Sequence, residues 1–188
     1  MTDAPPTEHF EHAEHAEHAA HSENPFLPIV ALTIAILAVI AASIGSLETI
    51  ETQATIDSKN DAVLLQNQAT DTWNLYEAKS IKKNMYEIAA AGGGVNAADF
   101  KTQAARNGDD EKKYDKQARE LEAERDAKLE QSERHEHRHG VLTIAVTLLQ
   151  ISIAIATISI VRRGARWPWY AALALGLAGI FGAVSAYI

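Results

Sequence analysis

Charge is absent from three long stretches of this chain: Pro25 to Leu47, Val141 to Val161, and Trp167 to Ile188. Each is close to the roughly 20 residues that a helix needs to cross a hydrocarbon core about 30 Å thick. A helix buried in a soluble protein seldom lacks charge on every face over such a length, because one side of it meets water. The runs are therefore expected to be three transmembrane helices, at 25–47, 141–161 and 167–188. The third opens with Trp167-Pro168-Trp169-Tyr170, which reads as an interfacial aromatic belt with its proline in the first turn, where a missing N–H costs little. The first run starts late, is long and has no basic segment before it, so it is expected to stay as an anchor rather than be cleaved as a signal.

Between the first two runs lie about ninety polar residues. From Glu48 there is no Gly or Pro until Gly92-Gly93-Gly94, the strongest helix breaker in the chain. The residues on either side form arms of nearly equal length, as a there-and-back rod requires if both ends return to one surface. The expectation is an all-α membrane protein in which residues 48–140 form a long antiparallel, coiled-coil-like hairpin turning near 92–97. Apolar positions at Ala62, Leu65, Ala69, Trp73 and Tyr76, then Ile81, Met85 and Ile88, predict the buried stripe of the outgoing arm, with one slip between the two sets. Tyr114, Ala118, Leu121 and Leu129 predict that of the return arm, and Gly108 marks a weak point in it.

From Asp109 to Arg138 the return arm carries 11 acidic and 8 basic residues. Pairs such as Glu124 with Lys128 give a helix only a few tenths of a kcal/mol each. Stripes this thin predict that the hairpin gains stability by packing in a larger bundle, so a homo-oligomer is expected.

Residues 1–24 are a different material. They carry five histidines, His9, His12, His15, His18 and His21, in a Glu-His-x repeat with no Lys or Arg, and this composition predicts a disordered tail. The net charge of −8 argues against nucleic acid as a partner. The one purely basic cluster, Arg162-Arg163-Gly164-Ala165-Arg166, forms the loop at 162–166 and is a topology signal. A five-residue loop obeys the positive-inside rule better than a long segment does, which favours a cytoplasmic loop and a periplasmic hairpin. Lys59, Lys128, Arg134 and Arg138 nearly balance it.

The absence of cysteine removes disulfides, thiolate ligands and thiol nucleophiles. Imidazole suits Zn, Ni and Cu. A spacing of three drifts about 60° per step on a helix, so the tail histidines can pair but cannot all line one site. Weak, exchangeable metal binding is the most the tail predicts. His135 and His139, at i and i+4 before the second span, form a better two-ligand pair, set against a role as membrane-surface anchors beside Arg134 and Arg138. Gln150, near the middle of the second span, is expected to hydrogen-bond between helices. Ala174, Ala178, Gly182 and Ala186 recur every four residues and predict a packing face, within the chain or between copies. Trp73 and Tyr76 are expected to fill a bundle core or to meet an unidentified protein partner. No span holds an Asp, Glu, His, Lys or Arg of the kind that marks transporters and proton relays, which counts against transport. The Gly92 turn lacks a phosphate-binding lysine, and no nucleophile sits in an activating setting, so no catalytic site and no cofactor are expected.

Asn67-Gln68-Ala69, Trp73, Tyr76, Ala78-Lys79-Ser80-Ile81-Lys82, Leu148-Leu149-Gln150 and Trp169-Tyr170 together resemble the bacterial DUF4337 proteins. The likeness covers most of residues 26 to 188, and QNQATDTWNLYEAKSIKKNMYE is its most specific part. The resemblance implies a multi-pass protein of a bacterial inner membrane and supplies no activity. The histidine tail lies outside it.

The residues alone thus support a non-enzymatic, membrane-anchored helical scaffold, its contacts being lipid and further copies of itself. A metal- or pH-responsive membrane protein is the second reading, and an oligomeric channel the third.

Overall fold

The computed structural model describes residues 25–162 and 165–188, and among these it is all helix. Three helices follow one another: α1 (Leu27–Ala91), α2 (Ala97–Val161) and α3 (Arg166–Ser185). The two long ones pack together. All three contain a segment long and apolar enough to cross a membrane.

The turn between α1 and α2 is made by residues that can leave the right-handed region. Gly93 and Gly94 take φ of 76° and 105°, values that cost an L side chain about 1 kcal/mol or more. Gly93 N–H bonds back to Ala90 O at 3.2 Å, which satisfies a carbonyl that the helix end would leave free. Asn96 takes the cap position of α2, its carbonyl accepting from Phe100 N–H at 3.0 Å, and Asp99 places negative charge in the first turn.

Among the described residues the chain divides into two compact units, one of 25–53 with 135–162 and 165–188, the other of 54–134. The first unit is a three-helix cluster. Leu37, Ala41 and Ile44 of α1 meet Leu142, Ala145 and Leu149 of α2 and Ala183 of α3. Val30 and Ile34 meet Ala156 and Ala172 further along. Contact is closest at two glycines of α3. A Cβ on Gly179 would lie 3.0 Å from the Ala145 carbonyl oxygen, and one on Gly176 would lie 2.9 Å from a Leu37 methyl. Ser152 donates to the Ala172 carbonyl at 2.6 Å across the same contact. The intrachain face of α3 is therefore Pro168, Ala172, Gly176, Gly179 and Ala183. Of the four small residues singled out by their spacing, Ala174 and Ala178 are exposed, and Gly182 and Ala186 sit at the edge.

The second unit is a two-helix hairpin in which position falls on α2 as it rises on α1. Its seam on α1 is Ser58, Ala62, Leu65, Ala69 and Thr72, continuing through Tyr76, Lys79, Lys83, Tyr86 and Ala90. The steps alternate strictly between four and three residues, the heptad spacing that keeps a stripe on one side of a supercoiled helix. The facing positions on α2 include Ala104, Asn107, Ala118 and Ser132, all buried. Small side chains let the backbones approach, but each buries little apolar area, worth about 0.8 kcal/mol per methyl.

This register corrects the expected stripe. There is no slip after Tyr76, so Ile81, Met85 and Ile88 are turned outward, 52%, 64% and 75% exposed, and Leu129 is outward as well. Lys79 and Lys83 take the seam positions instead. Their stems lie along the partner helix while their ammonium groups reach Asp110 at 2.6 Å and Glu111 at 3.1 Å. Gly108 does not interrupt α2. The Lys83 stem passes 3.5 Å from where a Cβ there would sit, so the glycine accommodates a crossing side chain.

Candidate functional site

The densest polar cluster of the first unit surrounds Glu51, four residues past the uncharged run of α1. Its side chain is 7% exposed. The heptad on α1 that buries Leu37, Ala41 and Ile44 continues to Glu48 and Glu51 with the same spacing, so the helix turns these carboxylates inward although the chain has become polar.

Three groups meet the Glu51 carboxylate. His135 Nδ1 lies 2.5 Å from Oε2, Tyr187 donates its hydroxyl to Oε1 at 2.9 Å, and an Arg138 guanidinium nitrogen is 3.9 Å from Oε1. An ionised carboxylate can only accept, so the His135 Nδ1 carries the proton in this contact. The Arg138 guanidinium also lies over the Tyr187 ring, 5.1 Å from its centroid. One acidic side chain of α1 thus gathers two residues of α2 and one beyond the end of α3. Burial pushes the Glu51 carboxyl up, but the hydrogen bonds from His135 and Tyr187 and the charges of His135 and Arg138 together outweigh it. They hold the group below its ordinary value of 4.5.

A second layer stands beside the first. Thr52 gives its hydroxyl proton to the Glu48 carbonyl at 2.9 Å, so His139 Nδ1, 3.1 Å from Thr52 Oγ1, must be the donor in that pair. Glu48 Oε1 is 2.6 Å from the Thr143 hydroxyl and 3.8 Å from His139 Nδ1.

His135 and His139, read either as a two-ligand pair or as membrane-surface anchors, are placed with different partners on α1, Glu51 for one and Thr52 for the other. Among the described residues, no group of three or more His, Asp or Glu side chains is set to hold a metal ion. His9, His12, His15, His18 and His21 lie outside the described residues. Gln150 is exposed on α2, and the side-chain bond from α2 to the α3 backbone comes from Ser152. Glu51 and Tyr187 were not anticipated. The signal for Glu51 is an acid that keeps the heptad phase just after an apolar run. Nothing local marks Tyr187.

At its other end, α3 is held by aromatic contacts. Trp169 packs edge-on against Phe26 at 5.5 Å and donates its indole N–H to Thr33 at 3.2 Å, and Arg166 stacks over Phe26.

In the second unit Trp73 donates to Glu122 at 2.9 Å, meets Tyr76 edge-on at 5.3 Å and lies under Arg119. Tyr76 is therefore part of the hairpin seam and Trp73 flanks it. Arg125 bonds to Gln66, and Lys128 pairs with Asp61 at 2.8 Å. The mutual hydrogen bonds raise Lys79 and Lys83 and lower Asp110 and Glu111 from their ordinary values. An open groove near the turn is lined by Ala90, Ala104 and Gly108 with Lys83, Glu87 and Lys112.

No curated protein and no solved structure matches the chain. The model of the family described as Domain of unknown function (DUF4337) matches residues 26–188, nearly the whole sequence, and the chain belongs to that family.

Proposed function

We propose that this protein is a non-enzymatic scaffold, anchored in the bacterial inner membrane by three spans and self-associating through its helices, with the hairpin on the periplasmic side. The observation that carries the anchoring is the outer surface of the first unit. Within the most apolar windows of α1, α2 and α3 only 33%, 28% and 28% of the residues are buried, so each apolar helix turns most of its surface outward. Leu32, Val39, Ile144, Leu177 and Phe181 are all more than 60% exposed. A large apolar surface of this kind needs lipid or protein against it.

The hydroxyls on that surface fit the same reading. Thr33, Ser43, Ser46 and Thr147 each donate to the carbonyl four residues back, so the helix satisfies them without water. Gln150 supports self-association. It is exposed at mid-span, where an unpaired amide in hydrocarbon costs several kcal/mol and a neighbouring copy can supply its partner. Cross-linking in native membranes is expected to give discrete oligomers. A strictly monomeric result removes the scaffold.

The Glu51 cluster favours a second reading, a pH-responsive protein, because a histidine and a buried acid there join α1, α2 and the end of α3. Under this reading the solvent protection of His135 changes with pH in the intact protein and no longer does so in Glu51→Gln, which removes the carboxylate that holds the imidazole. For the metal form of the idea, zinc or nickel is titrated into the full chain and into one lacking residues 1–24. Absence of stoichiometric binding ends it.

A further inference from the structure

The face of α1 turned away from the hairpin seam carries a second heptad. Asn74, Ala78, Ile81, Met85 and Ile88 are spaced by four, three, four and three residues, and all five are exposed. Leu75 flanks them, 48% exposed. Asp71 is the next heptad position toward the N-terminus, and its charge sets the limit of the apolar part. The corresponding outward face of α2 is charged, with Lys116 and Glu120 80% and 61% exposed at their side chains.

We propose that this face of α1, from Asn74 to Ile88, pairs in parallel and in register with the same face of a second copy. The inference rests on the membrane-anchored scaffold and names the surface through which it self-associates. Copies anchored in one membrane by the same span leave it in the same chain direction, so α1 meets α1 in parallel. An uncharged stripe then always meets itself. Asn74 meets Asn74 at a core position, where the two amides can hydrogen-bond to each other across the pair.

Charge selects the same pairing. In a parallel pair, the residue before one core position faces the residue five places later on the other helix. Here these are Glu77 and Lys82, of opposite sign and both exposed, and neither has an ion-pair partner among the described residues. Two such bridges form across a twofold axis. At roughly 100 Å² for each of the large apolar side chains Leu75, Ile81, Met85 and Ile88, the contact withdraws on the order of 400 Å² per copy, less than the about 800 Å² per partner of a standard interface. Confinement of both copies to one membrane raises their effective concentration and supplies the difference.

The absence of cysteine makes the test direct. Ile81→Cys in the full chain, oxidised in native membranes, is expected to give a disulfide-linked dimer, while Lys116→Cys gives little. Glu77→Lys or Lys82→Glu, each combined with Ile81→Cys, is expected to cut the dimer yield at least about fivefold, and the double exchange to restore it to within about twofold. The altered side chains are exposed, so helix content measured by circular dichroism stays unchanged. Three results overturn the seam: no Ile81→Cys dimer, linkage of Asn60→Cys to Ile88→Cys in mixed membranes, which requires antiparallel copies, or capture of lipid or another protein by a photoactivatable group at position 81. If Gln150→Cys still cross-links copies in the first case, this seam is wrong and the self-associating scaffold stands. If neither position cross-links, both fall.

Discussion

The two units of this protein use the same spacing and opposite chemistry. On α1, Leu27, Val30, Ile34, Leu37, Ala41 and Ile44 in the first unit follow the same alternation of three and four as Ser58, Ala62, Ala69 and Thr72 in the second. In the first unit most of these inward residues of α1 are large and the outward ones are also apolar. In the second, the inward residues are small or polar, and charge covers most of the outside. Spacing fixes which residues face the neighbouring helix, whereas residue type reports the solvent. A helix in water must show polar groups outward, and one in lipid need not. The exposed stripe of Ile81, Met85 and Ile88 departs from the second pattern, which is why it reads as a surface awaiting a partner.

If packing in the first unit depends on contact between backbones, its glycines are the most sensitive positions. Gly179→Leu, whose Cβ starts 3.0 Å from the Ala145 carbonyl oxygen and 3.2 Å from Leu149 Cγ, is expected to cost about 3 kcal/mol and to release α3 to protease in detergent. Gly45→Ala, with nothing within 4 Å, is the control, and gains about 0.5–1 kcal/mol from helix propensity.

Glu51→Ala comes next, at about 2 kcal/mol, because it strips a buried acceptor from His135 and Tyr187. A thermal-denaturation series in detergent at several pH values checks it. The Glu51 carboxyl lies below its ordinary 4.5 in the folded protein. Its contribution is therefore fully present above that value and is lost as the pH falls through the lowered one. The difference between wild type and Glu51→Ala should shrink in that acidic window.

In the second unit, Ala118→Leu forces a large side chain into a fully buried seam position and is expected to cost about 1–2 kcal/mol, read from the thermal midpoint of hairpin helicity. Lys79→Met keeps the buried stem and breaks a bridge whose partners are 28% and 45% exposed. It is expected to leave that midpoint within experimental error, since solvent screens exposed pairs. A large effect there would mean that the hairpin is held by its charges, and would reverse the comparison between the units.

Much of this architecture was legible in the chain. The three uncharged runs and the glycine triplet locate the apolar segments and the turn, because each is a long or unambiguous signal. The arms were harder. Ile81, Met85 and Ile88 follow a helical spacing as good as that of the seam, and hydrophobicity alone assigned them inward. What places them outside is continuity of phase from Ala62 and Ala69 through Lys79 and Lys83, where a charged head conceals a buried stem. Of the candidate site, His135 and His139 were visible as a pair one turn apart. Their different partners, Glu51 and Thr52, were not, because they depend on the register of two helices joined far away. Tyr187 is brought to Glu51 by the packing of α3, which no local pattern encodes.

The account depends most on lipid being the solvent of the apolar helices and water that of the hairpin. Single cysteines introduced at Ile36, Ile151, Leu177 and Leu64 can be treated with a water-soluble maleimide in intact and in opened membrane vesicles. Labelling at Leu64 alone, with the other three protected until detergent is added, is the predicted result. Rapid labelling of all four positions in membranes would contradict it.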